Sequence, residues 1–283
     1  MTFFKRSLWL FFIAISTFYS FGQTTSFAEA KVKEKGQLNY YYDTNPGFIN
    51  VSSGTQSGIC ADILTEFEKW VKAEYGITLV TNYVPTKNES FSIFLEKVKN
   101  GGAGIIGVGG VTITEERKKS YSFSHPYINN ISIMVTHSSV PSLRSPEEMA
   151  SKFSNMIALS VRGTTNEKTL LELKKKYFPS MRIEYMPSSN LLGEKISKDP
   201  KYFSIVDLGF FLVSLKEYRS VKPQPALNES NDKFGFIMPK DSDWAPILSK
   251  FIKEVYLNSS DYRKSIASNL GAPALKLLDS YAN

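Results

Sequence analysis

Apolar and polar positions follow two rhythms along this chain. Ile59, Ile63, Phe67, Trp70 and Val71 fall at i, i+4, i+8, i+11 and i+12, one face of a helix over Ile59–Tyr75, and Gly76 is its stop signal. Leu38-Asn39-Tyr40-Tyr41-Tyr42 reads as a strand before it, followed by a Gly/Ser/Thr loop over residues 51–58. Residues 77–84 are rich in β formers. Residues 91–100 read as a second helix, ended by Gly101-Gly102, and Gly104-Ile105-Ile106-Gly107-Val108 as a short buried strand. The order β-α-β-α-β predicts a largely parallel sheet with helices on both faces.

The same order recurs after Pro141. Asn155-Met156-Ile157-Ala158-Leu159-Ser160-Val161 reads as a strand, Gly163-Thr164-Thr165 as a capping turn and residues 166–177 as a helix. Met181-Arg182-Ile183-Glu184-Tyr185 is a strand, residues 191–197 a short helix and residues 202–206 a further strand. Ser132-Ile133-Met134-Val135-Thr136-His137 and Phe234-Gly235-Phe236-Ile237-Met238 bracket this second set and read as the two strands of a hinge. Helices near residues 245–256 and 261–269 then rejoin the first lobe. The prediction is an α/β protein of two lobes, each an α/β sheet sandwich. Residues 31–135 and 233–283 form lobe 1 and residues 136–232 form lobe 2. Ligands of open α/β sheets bind beyond the carboxyl ends of the strands, so a cleft between the lobes is the expected site.

The N-terminus carries a different pattern. Lys5 and Arg6 precede an apolar run over residues 8–21, and small residues follow, as in a secretory signal peptide. Cleavage after Gly22 or after Ala30 satisfies the small-x-small rule. The run is about 14 residues long, short of the ~20 that span a bilayer, and no later run is longer. The expected location is therefore the periplasm, as a freely diffusing monomer.

Composition narrows the chemistry. The 283 residues have 42% hydrophobic and 22% charged residues, an ordinary globular balance that excludes a disordered or collagen-like chain. Cys60 is the one cysteine, so neither an intrachain disulfide nor a Cys-rich zinc site is available. With His125 and His137 the only histidines, a multi-histidine metal site is not expected, nor any cofactor. The net charge of +7 comes from lysines on helix faces, such as Lys174, Lys175 and Lys176 near Glu167 and Glu172, without a basic-aromatic groove for nucleic acid.

Gly109-Gly110-Val111-Thr112-Ile113-Thr114-Glu115-Glu116-Arg117, followed by Tyr121-Ser122-Phe123-Ser124-His125-Pro126-Tyr127, is the most informative stretch. It resembles the signature of the family 3 extracellular solute-binding proteins, the amino-acid receptors of bacterial ABC importers. Gly58-Ile59-Cys60-Ala61-Asp62-Ile63 resembles that family's first helix start, with Cys60 departing from it. Val161-Arg162-Gly163-Thr164-Thr165 resembles the opening of the second lobe, and residues 234–240 the return strand. The resemblance implies the two-lobed type II periplasmic binding protein fold, hinge closure over an amino acid, and delivery to a membrane ABC permease. The chain has no P-loop, so the ATPase is another protein.

The resemblance also implies residue roles. Arg117, Thr112 and the backbone N–H of Thr165 are matched to the ligand α-carboxylate. The Gly110 carbonyl and the Asp207 carboxylate are matched to the ammonium, although Leu208-Gly209-Phe210 departs from the family's following residues. Phe91 is matched to a position stacking on the ligand side chain and Asp43 to a polar specificity position, with Phe48 and Tyr121 near the same pocket. Asp62 reads as a structural brace. The chemistry of the residues agrees: a buried carboxylate needs charge-assisted donors, and a planar guanidinium supplies two at once.

Two rival readings share this scaffold. Dehydratases acting on prephenate or arogenate resemble the family; they would keep the Arg117 clamp and draft Asp207 or Asp43 as general acid or base. A receptor that signals to a membrane kinase would bind its ligand in the same way. A cell-wall lyase would need a further catalytic domain.

Overall fold

The computed structural model of the chain describes residues 23–86, 90–227 and 229–281. The expected leader over residues 1–22 lies outside them, but residues 23–30 are folded. Ser26 opens helix α1 (Phe27–Lys33) with a reciprocal capping box to Glu29. The N–H groups of Phe27 and Ala28 donate to Asp243 Oδ1 and Oδ2 at 2.9 and 3.0 Å. Trp244 Nε1 donates to the Thr25 carbonyl at 2.8 Å, and the Phe27 ring packs edge-on against Tyr75 and Trp244. Ala30 is fully buried. A leader ending at Ala30 overlaps this packed segment.

The first set of elements builds lobe 1: β1 (Lys35–Tyr42), the hairpin β2 (Asn50–Ser52) and β3 (Thr55–Ser57), α2 (Ile59–Tyr75), β4 (Thr78–Pro85), α3 (Phe91–Lys99), β5 (Ile105–Val108), α4 (Glu115–Lys118) and β6 (Tyr121–Phe123). The α2 helix has the bounds its periodicity predicts, and Gly76 ends it in the left-handed region. The hairpin replaces the loop expected over residues 51–58. Its residues are too polar to show a buried face, and Ser53-Gly54, both at positive φ, make the tight turn.

Lobe 2 contains β7 (Ile128–His137), α5 (Met149–Lys152), β8 (Ile157–Ser160), α6 (Thr165–Lys176), β9 (Arg182–Tyr185), α7 (Asn190–Lys198), β10 (Tyr202–Asp207), α8 (Leu208–Glu217), β11 (Val221–Pro223) and β12 (Glu229–Phe234). The chain returns to lobe 1 through β13 (Ile237–Pro239), α9 (Trp244–Lys250) with a π-helical turn over Phe251–Tyr256, α10 (Ser260–Leu270) and α11 (Ala272–Tyr281). The lobe 1 sheet has the order β4-β1-β5-β13-β6, and the second sheet β11-β7-β10-β8-β9, with β12 also on β7. In each lobe the first strand of the β-α-β-α-β unit lies between the second and third, all parallel, and an antiparallel strand follows the third.

The hinge differs from the expectation. Residues 132–137 belong to β7, which pairs with β10, β11 and β12 inside the second sheet. The boundary expected at 135/136 therefore falls within a strand of lobe 2. The chain crosses between lobes over residues 124–127, where Ser124 N donates to Phe236 O and Tyr127 N to Phe234 O, both at 2.9 Å. The apolar run is a strand buried on both faces, and such a run looks the same in a hinge as in a sheet centre. Between the crossings, Ile113 N donates to Lys233 O and Gly235 N to Val111 O, which places Thr112 at the base of the cleft.

Separate cores fill the two lobes. Phe67, Trp244, Phe251 and Tyr256 pack with α2 on one face of the lobe 1 sheet, and Phe94, Val98 and Ile237 on the other. Asp62 accepts from Ser265 Oγ at 2.6 Å and Asn269 Nδ2 at 3.0 Å, tying α2 to α10. If α1 is part of this unit, Asp243→Ala, which removes its two N-terminal acceptors, lowers the unfolding free energy by about 1 kcal/mol in chemical denaturation. An unchanged value contradicts the docking of α1.

Candidate functional site

The carboxyl ends of the parallel strands of both lobes converge on one cavity of ≈ 70 Å³. All seven residues singled out from the sequence line it: Asp43 after β1, Phe91 at the start of α3, Gly110 and Thr112 after β5, Arg117 on α4, Thr165 at the start of α6, and Asp207 at the end of β10. Phe48 and Tyr121 do not line it; both are packed into lobe 1 cores.

Arg117 is placed by the local fold. Thr114 caps α4 by accepting from Arg117 N at 3.1 Å, which turns the side chain back over the preceding segment. Nη1 donates to the Thr112 carbonyl at 2.8 Å, and the guanidinium carbon lies 5.1 Å from the Phe91 ring centroid. Nη2 donates across the cleft to the Gly163 carbonyl at 3.0 Å. Burial lowers its pKa, with Tyr121, Asp232, Glu116 and Asp207 acting against that, and a guanidinium stays charged at any physiological pH. Two more contacts cross between the lobes: Thr112 Oγ1 lies 3.2 Å from Thr165 Oγ1, and Asn190 Nδ2 donates to the Thr44 carbonyl at 3.0 Å.

The opposing wall carries the acidic group. Asp207 Oδ1 accepts from Asn130 Nδ2 at 2.9 Å and from Asn166 Nδ2 at 3.3 Å. Asn130 Oδ1 accepts from the Leu208 N–H at 3.3 Å, and Asn166 Oδ1 lies 3.2 Å from Ser132 Oγ. Burial nevertheless pushes the Asp207 pKa up to about 6, against the two amides, and Asp232 adds to the rise. Asp43 is also pushed up to about 6 by burial, opposed by the Thr44 N–H, and among the described residues no ion pair compensates it. At the head of α6 the Thr165 and Asn166 N–H groups have no intrahelical acceptor and point the positive helix end at the cleft.

Sequence reasoning missed Asn130, Asn166 and Ser132. A signal existed in β7: Asn130 and Ser132 stand two residues apart, on one face of a strand whose centre is apolar, and both are buried. The Gly109–Gly110 turn is also fixed from behind. Tyr127 Oη donates to the Gly109 carbonyl at 2.5 Å, and Cys60 Sγ lies 3.4 Å from the same hydroxyl. Burial pushes the Cys60 thiol up to about 12, so it packs as an inert side chain. Among the described residues no cluster of His, Cys, Asp and Glu could hold a metal ion.

Residues 40–260 match the bacterial extracellular solute-binding proteins, family 3. The chain belongs to that family. Its fold is the two-lobed type II fold of periplasmic binding proteins, as solved structures confirm. The arginine-, lysine-, histidine-binding protein ArtJ from Geobacillus stearothermophilus matches with a TM-score of 0.67 and 20% identity, covering 86% of this chain and 99% of that one. The amino acid ABC transporter substrate-binding protein AbpA from Streptococcus pneumoniae, bound to L-arginine, matches at 0.63 and 21%, covering 88% and 98%. The ancestral amino acid-binding protein AncCDT-1, a precursor of cyclohexadienyl dehydratase, matches at 0.67 and 19%, covering 87% and 100%. Among the described residues no helix is long and apolar enough to cross a membrane.

A family 3 cleft of this construction has a stability signature. The Asp207 pKa of about 6 lies above the ~3.9 of an unfolded aspartate, so the folded chain holds that proton more tightly. Its contribution is present at low pH and is lost as pH rises through about 6. Asp207→Asn in the protein without added solute is therefore more stable than the parent at pH 7, and the difference shrinks towards about pH 4. Chemical denaturation across that interval measures it; a difference independent of pH contradicts the assignment.

Proposed function

We propose that this family 3 protein is a periplasmic receptor for a free amino acid, which it encloses by hinge closure and delivers to an ABC importer. The observation that carries the reading is the pairing of Arg117 from lobe 1 with Asp207 from lobe 2 on one cavity. An α-amino acid brings a carboxylate and an ammonium two bonds apart, and needs opposite charges facing each other across a dry site. The ligand carboxylate takes Arg117, the Thr112 hydroxyl and the Thr165 N–H. The ammonium takes the Gly110 carbonyl and the free side of Asp207, while Phe91 flanks the ligand side chain. Only the closed form makes both sets of contacts, so ligand binding shifts the population towards closure.

Asp43 refines the ligand. Among the described lining residues there are two carboxylates and one guanidinium. A neutral amino acid would leave one buried negative charge unpaired, whereas a cationic side chain would neutralise it. We therefore favour a basic amino acid, in line with what ArtJ and AbpA bind. The folded state of residues 24–33 favours signal cleavage after Gly22, leaving Gln23 at the mature N-terminus.

A second reading, a dehydratase acting on a cyclic carboxylate, draws support from two carboxyl groups held near pH 6, where proton transfer in both directions is feasible. It predicts loss of water and carbon dioxide from prephenate.

A thermal-shift screen of the refolded mature chain against free amino acids and small carboxylates tests the receptor reading. Lysine or arginine raises the melting temperature; a native-state ligand adds about 2.7 kcal/mol at a hundred times its dissociation constant. Arg117→Ala weakens that binding by about 3 kcal/mol or more, since each charged hydrogen bond contributes roughly 1.5–3 kcal/mol. Asp43→Asn weakens lysine binding about tenfold and leaves glutamine binding nearly unchanged. Affinity for lysine falls as pH drops below about 6, because both carboxylates take up protons. No shift with any amino acid, together with prephenate turnover, contradicts the receptor. Intact-mass analysis of the exported protein gives an N-terminus at Gln23; one at Lys31 contradicts the cleavage site.

A further inference from the structure

Helix α8 starts directly after Asp207 and carries an apolar face that the ligand site does not use. Gly209, Leu212 and Val213 stand at i, i+3 and i+4, on one side of the helix. Although α8 belongs to lobe 2, Leu212 and Val213 pack against the lobe 1 core. A β-carbon on Gly47 of lobe 1 would lie 3.4 Å from Val213 Cγ2 and 2.4 Å from Leu270 Cδ2, so these groups meet there. Gly209 receives the Phe48 ring. A β-carbon at 209 would come within 2.3 Å of Phe48 Cε2 and 2.9 Å of Cζ.

Phe48 has little room to retreat. It is 1% exposed and packs edge-on against Phe234 at 5.5 Å, beside the return crossing of the hinge. Its backbone is tied on both sides: its N–H donates to the Asn45 carbonyl at 3.0 Å and its carbonyl accepts from Cys60 N at 2.9 Å. Neither Phe48 nor Gly209 lines the cavity, yet each is close in sequence to residues that do, Asn45 and Asp207. Rigid packing makes such a contact sensitive to a single added carbon.

We propose that Gly209 is the seat that lets lobe 2 close onto lobe 1: the missing side chain admits Phe48, and this apolar seam sets how far the lobes close, separately from any ligand. The seam is a positioning device. It biases the open–closed equilibrium, and the apparent affinity of the cleft scales with the closed population. It rests on the receptor reading only where closure is read through affinity.

Small-angle scattering of the refolded protein without solute tests it independently of any ligand. Gly209→Ala gives a larger radius of gyration than the parent, and Phe48→Leu in the Gly209→Ala background returns it to the parental value, because the shorter side chain clears the added carbon. Val213→Ala, which thins the seam without overlap and folds normally, moves the radius in the same direction by less. In the same variants L-lysine binding weakens about tenfold for Gly209→Ala and recovers with Phe48→Leu. An unchanged radius in both Gly209→Ala and Val213→Ala overturns the proposal. So does an increase that Phe48→Leu fails to reverse. Loss of lysine binding in the parent with the scattering pattern intact leaves the seam standing and counts against the receptor reading alone.

Discussion

A guanidinium held in a nearly closed cleft is the constraint around which this molecule is arranged. Arg117 cannot discharge itself, so every group near it must supply an acceptor or be pushed away. The Thr112 carbonyl satisfies it from its own lobe and the Gly163 carbonyl from the other. That second bond makes the cation a link between lobes, besides the anion site proposed for it. A ligand carboxylate competes with a carbonyl oxygen for the same N–H groups, and a full negative charge wins that exchange, since charge-assisted bonds are the stronger kind.

The fold supplies this arrangement twice. Each lobe carries a parallel β-α-β-α-β unit with the same strand order, and each presents its strand ends to the cleft. Lobe 1 contributes the cation from the helix after its third strand; lobe 2 contributes the anion Asp207 from the end of its own third strand. A cation and an anion from different lobes therefore meet at one small cavity, to which lobe 1 also adds Asp43. Behind them, Asn130 and Asn166 donate to Asp207, and Tyr127 donates to the Gly109 carbonyl, so these groups are held in place by neighbouring side chains. The α8 seam adds an apolar contact between the lobes to these polar ones.

The sequence was most legible where local rules and tertiary structure agree. The α2 helix shows a strong apolar period and a glycine stop, and its bounds follow from them. The seven residues expected from the sequence line one cavity from both lobes, because they lie just beyond strand ends or on the helix turns that follow, where topology brings them together. Legibility failed where the partner, not the segment, decides. Residues 132–137 form a strand in either reading, and only pairing with β10 and β12 assigns them to lobe 2. The β2–β3 hairpin has too polar a face to show period two. Helix α8, with Leu208, Phe210, Phe211, Leu212 and Val213 nearly in succession, shows no single face, because both lobes pack against it. The Asn130–Asp207–Asn166 cluster joins residues from three elements; the buried polar positions of β7 hint at Asn130, but the partners it meets lie far away in sequence.

The most direct test of the central claim is a crystal structure of the refolded protein grown with L-lysine or L-arginine. The account predicts the ligand carboxylate on the Arg117 guanidinium and the Thr165 N–H, with the Arg117–Gly163 bond replaced, and the ammonium on the open side of Asp207. A ligand bound outside the cleft, or inside it with its carboxylate turned away from Arg117, would contradict the account.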